Sequence, residues 1–236
     1  VEVCGNHTDH NGGKVVSCAI SLDALCMFLP YDKDVIKIKS EGYDDIIVDI
    51  NGAECEEKGT SAALVRGVVV GLKNKGYKVG GFIACVTSNV LGGAGISSSA
   101  SFEVLNFLYN DGKITESEKA IVSQFSENKY FGKPCGLLDQ TAIAFGGLKK
   151  LDFKKKGVIG VTDIHNDLKD YTLVLVNTGG SHANLTGEYA AIPSEMFSVA
   201  KAMGGEKLID FTEEEFITKL PAVQNNLSDR AVLRAF

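Results

Sequence analysis

The 236-residue chain holds 44% apolar and 23% charged residues, the balance of a globular protein with room for one large domain or two small ones. A formal charge of −6 argues against a general nucleic-acid binder, whose footprint is a basic patch. Its apolar runs fall far short of the roughly 18 to 20 residues a membrane helix needs, so no membrane insertion is expected.

Val1-Glu2-Val3-Cys4-Gly5-Asn6-His7 carries neither a basic start nor an apolar run, and no secretory leader is read there. The six cysteines, Cys4, Cys18, Cys26, Cys55, Cys85 and Cys135, form no C-x-x-C pair. Reduced thiols in the cytoplasm are expected, with neither disulfides nor zinc.

The first polar cluster is Gly5-Asn6-His7-Thr8-Asp9-His10-Asn11-Gly12-Gly13, ahead of an apolar strand through Val15, Val16, Cys18 and Ile20. Three readings stay open. An aspartate that accepts from two hydroxyls, with His and Asn beside it, suits a polyol and discriminates epimers, because a misplaced hydroxyl leaves a buried group unpaired. His7, Asp9 and His10 can be read as metal ligands, although their spacing is unlike common zinc patterns. The segment also reads as an Asn-Gly-Gly hairpin turn with exposed polar residues.

Short β-branched runs predict strands over 35–38, 46–50, 82–87 and 172–177. Between them Leu64, Val65, Val68, Val69 and Leu72 share one face of a helix over 61–75, and Gly76 stands where it would stop. After the third strand comes Asn89-Val90-Leu91-Gly92-Gly93-Ala94-Gly95-Ile96-Ser97-Ser98-Ser99-Ala100-Ser101, which runs into a helix carrying Phe102, Leu105 and Leu108 or Tyr109. A strand, glycine turn and helix in that order present free N–H groups to an anion at a helix N-terminus, and serine hydroxyls there can hold Mg²⁺ through oxygen. The turn has no Walker lysine, no third fingerprint glycine and no closing glycine of a nucleophile elbow. A plain Gly/Ser connector is the bland alternative.

Thr115 with Glu118 makes a capping box opening a helix through Ile121, Val122 and Phe125, and Thr212 with Glu215 repeats it. Between these boxes, Glu127-Asn128-Lys129-Tyr130-Phe131-Gly132-Lys133-Pro134-Cys135-Gly136-Leu137-Leu138-Asp139-Gln140 crosses a Gly/Pro turn and presents Asp139 in apolar company. Asp139 reads either as a general base for a hydroxyl or as the cap of the helix through Thr141, Ala142 and Ile143. Glu127 by itself reads as a helix-surface acid. The lysines 154–156 read as a solvated turn, and a domain boundary is expected within 164–169. Helices and strands neither alternate strictly nor segregate, which makes the fold mixed α+β.

Together these segments resemble galactokinases, of the GHMP small-molecule kinase superfamily. Gly5, His7, Thr8, Asp9 and Asn11 match the signature G-E-H-T-D-Y-N, with Asn6 and His10 replacing Glu and Tyr. The serine turn is similar to P-x-G-A-G-L-S-S-S-A-S, with Leu91 for Pro and Ile96 for Leu. Glu127, Asn128, Gly132, Cys135, Gly136, Asp139 and Gln140 match E-N-x-x-x-G-x-x-C-G-x-x-D-Q. Asn177, His182, Leu185, Glu188 and Tyr189 match N-x-x-x-x-H-x-L-x-x-x-E-Y.

The resemblance implies an α+β GHMP N-terminal domain of the ribosomal protein S5 domain 2-like type over 1–165, then the start of a C-terminal α+β domain over 166–236. It implies that Asn6, His7, Asp9, Gly136 and Tyr189 contact galactose or a close hexose. Gly93, Ala94, Gly95, Ile96, Ser97, Ser98 and Ser99 would wrap the phosphates of ATP, Ser99 and Glu127 would hold Mg²⁺, and Asp139 would be the base. Without the family, Tyr189 reads as an ordinary helix aromatic. Asn6 in place of a carboxylate keeps N-acetylgalactosamine open as the sugar, and a non-catalytic galactose and ATP sensor is the alternative to an enzyme. Family members carry a catalytic arginine just before the position of Val1 and a third glycine-rich motif beyond that of Phe236. The resemblance therefore implies an internal portion, inactive or poorly active by itself.

Overall fold

A computed structural model describes residues 1–54, 57–90, 96–105, 114–155, 157–165, 170, 172–174, 176 and 186–236. In chain order the strands are β1 (Glu2–Cys4), β2 (Lys14–Cys18), β3 (Ala24–Tyr31), β4 (Val35–Ser40), β5 (Ile46–Asp49), β6 (Gly81–Ser88), β7 (Leu148–Asp152) and β8 (Gly160–Asp163). The helices are α1 (Ser61–Asn74), α2 (Ser98–Leu105), α3 (Glu116–Phe125), α4 (Leu138–Phe145), α5 (Thr186–Ala202), α6 (Glu213–Val223) and α7 (Asp229–Ala235). A π-helical turn, Ser126–Phe131, continues α3.

The period-2 pattern of β4, β5 and β6 sends Ile36, Ile38, Ile46, Val48, Phe82, Ala84 and Val86 to one side of a sheet, where they meet Val65 and Val69 of α1. Full burial of each such aliphatic contributes about 1.5–3 kcal/mol, so this face carries much of the stability. Strand order is β3-β6-β4-β5, with β4 parallel to β6 and the other pairs antiparallel. The parallel pair requires a crossover, which β5 and α1 supply. β3 lies at the edge, and its Leu25, Met27 and Leu29 stay exposed.

α1 starts where Thr60 accepts the N–H of Ala63 at 3.1 Å. It ends at Lys75, and Gly76 follows with φ 83°, a left-handed turn that favours glycine. Both expected capping boxes form, at Thr115/Glu118 and Thr212/Glu215.

The second sheet, β1-β2-β7-β8, is antiparallel throughout. Val15, Leu151 and Phe153 pack against Leu138, so this sheet fixes the loop before β2 and the start of α4 relative to each other. Lys154 and Lys155 are exposed in the β7–β8 connection, as a solvated turn requires. α5, α6 and α7 gather around a separate cluster of Val199, Met203, Leu220 and Ala231. The mixed α+β class expected from sequence is the one observed.

One expected element does not form. Thr172, Leu173, Val174 and Val176 are exposed and take no strand conformation, and the remaining residues of 172–177 lie outside the described ones. β-branched composition describes fitness for a pleated surface, and without a sheet neighbour it does not make a strand. Among the described residues no helix is long and apolar enough to cross a membrane.

Candidate active site

The β1–β2 connection is a tight loop with unusual backbone. Asn6 and His7 both adopt positive φ, 59° and 51°, a conformation uncommon outside glycine. Glu2 holds it: its two carboxylate oxygens accept the His7 N–H at 3.0 and 3.1 Å. Thr8 Oγ1 then donates to Gly5 O at 2.9 Å, and a single 3-10 turn, Thr8–Asn11, turns the next side chains inward. Asp9 and Asn11 are buried, so the loop is a hairpin connection but not the solvent-exposed one that composition allows.

Asp9 reaches a segment 129 residues away. Its Oδ2 accepts the N–H of Leu138 at 3.0 Å. The approach depends on Gly136, where a Cβ would lie 1.8 Å from Asp9 Oδ2. Burial alone would raise the Asp9 pKa, but His10, whose Nδ1 lies 3.9 Å from Oδ1, the Leu138 N–H and the charge of His7 leave it below the ordinary value. On its other side the loop meets the C-terminal helices: Met196 Sδ of α5 lies 3.3 Å from His10 Nε2 and 3.4 Å from Asn11 Nδ2, and Asn11 Oδ1 accepts the Leu208 N–H at 3.3 Å.

Asp139 lies in the first turn of α4, whose N-cap is Leu137, so it does not cap the helix. Ser97 lies beside its side chain. Burial pushes the Asp139 pKa up, His7 and Ser97 pull it down, and Glu127 and Asp9 add to the rise. The net shift is upward, which makes this carboxylate a stronger base than an exposed aspartate. Ser97 itself has φ 62°, and its carbonyl accepts both the N–H and the Oγ of Ser101, at 3.0 and 3.1 Å, to open α2.

Glu127 sits on the π turn, a widened helical geometry frequent at functional sites. It is buried, and around it converge Ser99 Oγ at 3.1 Å and Lys133 Nζ at 3.2 Å, both on Oε1, and Gln140 Nε2 at 2.8 Å on Oε2. The reading of Glu127 as a surface acid is thus overturned by the packing of α1 against the π turn. Glu103 of α2 is also fully buried, and desolvation, followed by the charge of Glu127, pushes its carboxyl up to about 10.

The structure therefore brings His7, Asp9, Gly136, Asp139, Ser97, Ser99 and Glu127 into one neighbourhood. Ile96 and Ser98 flank Ser97 there, while Gly93, Ala94 and Gly95 lie outside the described residues. Asn6 is exposed at the rim of the loop. Tyr189 is on α5, about two turns before Met196, and partly exposed. A metal cage on His7, Asp9 and His10 is not what the loop builds: no group of three or more His, Cys, Asp or Glu side chains suited to a metal occurs among the described residues. Sequence reasoning missed Glu2, Glu103 and Lys133. Only Glu103 left a signal, an acid one helical turn after Ser99 on a helix expected to be amphipathic.

Two family models match this chain: the galactokinase galactose-binding signature over residues 1–30, and the N-terminal domain of GHMP kinases over residues 63–147. The chain is similar to galactokinases over nearly all of its length. Among galactokinases, that of Clostridium tetani is 29% identical over 247 residues, covering 99% of this chain and 61% of the relative. The Pyrococcus furiosus galactokinase is 32% identical over 229 residues, covering 94% and 62%. The crystal structure of Lactococcus lactis galactokinase complexed with galactose superposes with a TM-score of 0.88 at 26% identity, covering 99% of this chain and 63% of that one. The chain thus spans about three-fifths of the length of these galactokinases. The galactose-binding signature falls on β1, the Asp9 loop, β2 and most of β3, and the GHMP domain contains Ser97, Ser99, Glu127, Gly136 and Asp139.

Proposed function

We propose that the protein transfers the γ-phosphoryl group of ATP to the anomeric hydroxyl of galactose, giving galactose 1-phosphate and ADP. One observation carries this: the loop bearing the galactose-binding signature docks through Asp9 onto the Leu138 N–H, one residue from Asp139, while Asp139 lies beside Ser97 of the serine turn. A sugar oxygen held by the loop is thereby brought within reach of both a base and a triphosphate. In that arrangement His7, Asp9 and the open face at Gly136 orient the hexose, and Asp139 accepts the proton of the hydroxyl as its oxygen bonds to phosphorus and the bond to the ADP oxygen breaks.

Ile96, Ser97, Ser98 and Ser99 stand where α2 begins and favour an anion there, together with Gly93, Ala94 and Gly95. Ser99 and Glu127 present a hydroxyl and a carboxylate 3.1 Å apart, the hard oxygen set that Mg²⁺ takes, and Lys133 is the cation now bonded to that carboxylate. Mg²⁺ commonly completes its shell with substrate phosphates, so a pair of protein ligands fits it without a larger cage. Bound there, the ion would neutralise phosphate charge. Tyr189 closes the sugar site from α5.

We place the boundary of the N-terminal domain at residue 165, supported by the separate apolar cluster of α5, α6 and α7. The unpaired thiols of Cys4, Cys18, Cys26, Cys85 and Cys135 suit the cytoplasm. Asn6, exposed at the loop rim, favours N-acetylgalactosamine as a second substrate to try. The decisive assay measures ATP-dependent 1-phosphorylation of both sugars by the full-length gene product, as wild type and as Asp139→Ala. We expect product from the wild type and a loss of about 10²–10⁴-fold in the variant. Binding of sugar and ATP without product would make the protein a sensor instead.

A further inference from the structure

Among the described residues, both carboxyl oxygens of Glu103 and the Oε1 of Gln140 are buried without a hydrogen-bond partner. These unpaired atoms are neighbours. Glu103 projects from α2 and Gln140 from α4, the two helices pack together, and the Gln140 amide lies close enough to the Glu103 carboxyl to lower its pKa, against the larger rise from burial and from Glu127. Buried polar atoms in native proteins are paired almost without exception, so an unpaired set at the edge of a reaction centre calls for a function.

The inventory of protons says what that function is. Both N–H bonds of the Gln140 amide are engaged, one on Glu127 Oε2 at 2.8 Å and one toward Cys135 Sγ at 3.6 Å. What remains on the amide is the oxygen, which only accepts. An ionised Glu103 would set acceptor against acceptor, whereas one carboxyl proton between them pairs Gln140 Oε1 with one of the two Glu103 oxygens. The amide also has two orientations differing by half a turn. Only one presents N–H to Glu127, and the reverse would aim the amide oxygen at a carboxylate.

We propose that Glu103 is a positioning residue: its carboxyl O–H donates to Gln140 Oε1 and locks the amide so that Gln140 Nε2 holds Glu127, with Ser99, in the orientation that receives the divalent cation of the nucleotide. This role rests on the reading of Ser99 and Glu127 as the cation ligands. Groups of this kind, one bond removed from a ligand, commonly change metal affinity about 10–100-fold when altered.

The test titrates MgATP, and ATP kept metal-free with a chelator, into the wild type, Glu103→Leu, Glu103→Gln, Gln140→Leu and the Glu103→Leu/Gln140→Leu double variant. Glu103→Leu should weaken MgATP about tenfold and leave metal-free ATP within about twofold. Glu103→Gln, whose amide still donates to Oε1, should recover to within about threefold of the wild type. In the Gln140→Leu background Glu103→Leu should add less than about twofold, because its path is already cut. Glu103→Leu leaves the buried Gln140 Oε1 without its donor and should lower the thermal midpoint, so the deciding readout is the selective loss of MgATP over metal-free ATP, which a merely structural Glu103 would not give. Equal MgATP binding by Glu103→Leu and the wild type overturns the role, as do losses that multiply in the double variant or a Glu103→Gln as weak as the leucine. If Glu103→Leu does not fold, Gln140→Leu reads the same link from its other end, and wild-type MgATP affinity there overturns it too. A wild type that binds no MgATP removes the cation site, and this role with it.

Discussion

Asp9 holds the β1–β2 loop against the start of α4, and it depends on one residue with no room to vary. Asp9 enters the gap left by Gly136, where any Cβ would stand 1.8 Å from Oδ2 and 2.5 Å from Cγ. The carboxylate cannot retreat without giving up the Leu138 N–H. Gly136→Ala should therefore displace Asp9, and a shift of about 1 Å at such a contact costs on the order of 10²-fold. Calorimetry should show that loss for galactose, with MgATP affinity kept within about twofold; equal losses for both ligands would mean that the whole site had collapsed. Asp139 offers a test by pH. Burial raises its pKa and His7 lowers it, and in the proposed role of base it works only when ionised, so activity should fall on the acid side through a pKa above the ordinary value of 3.8. Removing the favourable charge in His7→Ala should move that acid limb to higher pH. A limb that stays in place, or shifts downward, would detach His7 from Asp139.

Elements place these residues by close backbone contact more than by propensity. Gly67, in the middle of α1, faces Ser126 at the start of the π turn, and a Cβ there would come 2.6 Å from Ser126 Cα and 2.5 Å from its Oγ. That hydroxyl also donates to Leu64 O at 2.7 Å. By propensity alone, alanine in a helix interior is about 0.8–1 kcal/mol better than glycine. Here the contact should win: overpacking commonly costs about 1–3 kcal/mol, so Gly67→Ala should lower stability in urea unfolding and loosen Glu127 next to Ser126. An increase in stability would show that α1 and the π turn separate at no cost. The same balance explains what the sequence discloses. β4, β5 and β6 are readable because Ile and Val alternate, and α1 because its apolar face repeats at helical spacing. β3 is not, since Ala24-Leu25-Cys26-Met27-Phe28-Leu29-Pro30-Tyr31 is poor in β-branched residues and takes its form from pairing with β6. Asp9, Ser99, Glu127 and Asp139 are legible as motif residues, yet their meeting is a tertiary fact. Glu2, Glu103 and Lys133 act through packing partners distant in sequence, which local composition does not encode.

Across the whole molecule, two buried carboxyls near one site couple stability to pH with opposite signs. Asp9 accepts the Leu138 N–H and has a lowered pKa, so the stability it contributes is present above the ordinary value of 3.8 and is lost as pH falls through its folded value. Glu103 lacks fixed donors and is pushed up from 4.5 to about 10. Between those values the folded chain keeps a proton that the unfolded chain releases, so the unfolded state binds fewer protons and stability declines as pH rises. One such group changes stability by at most about 1.4 kcal/mol per pH unit. Glu103→Gln cannot titrate and should remove this slope while preserving the fold. Urea unfolding at about pH 5, 7 and 9 should show the wild type losing ground to Glu103→Gln step by step. A difference between the two that stays constant over that range would mean that Glu103 is ionised in the folded protein.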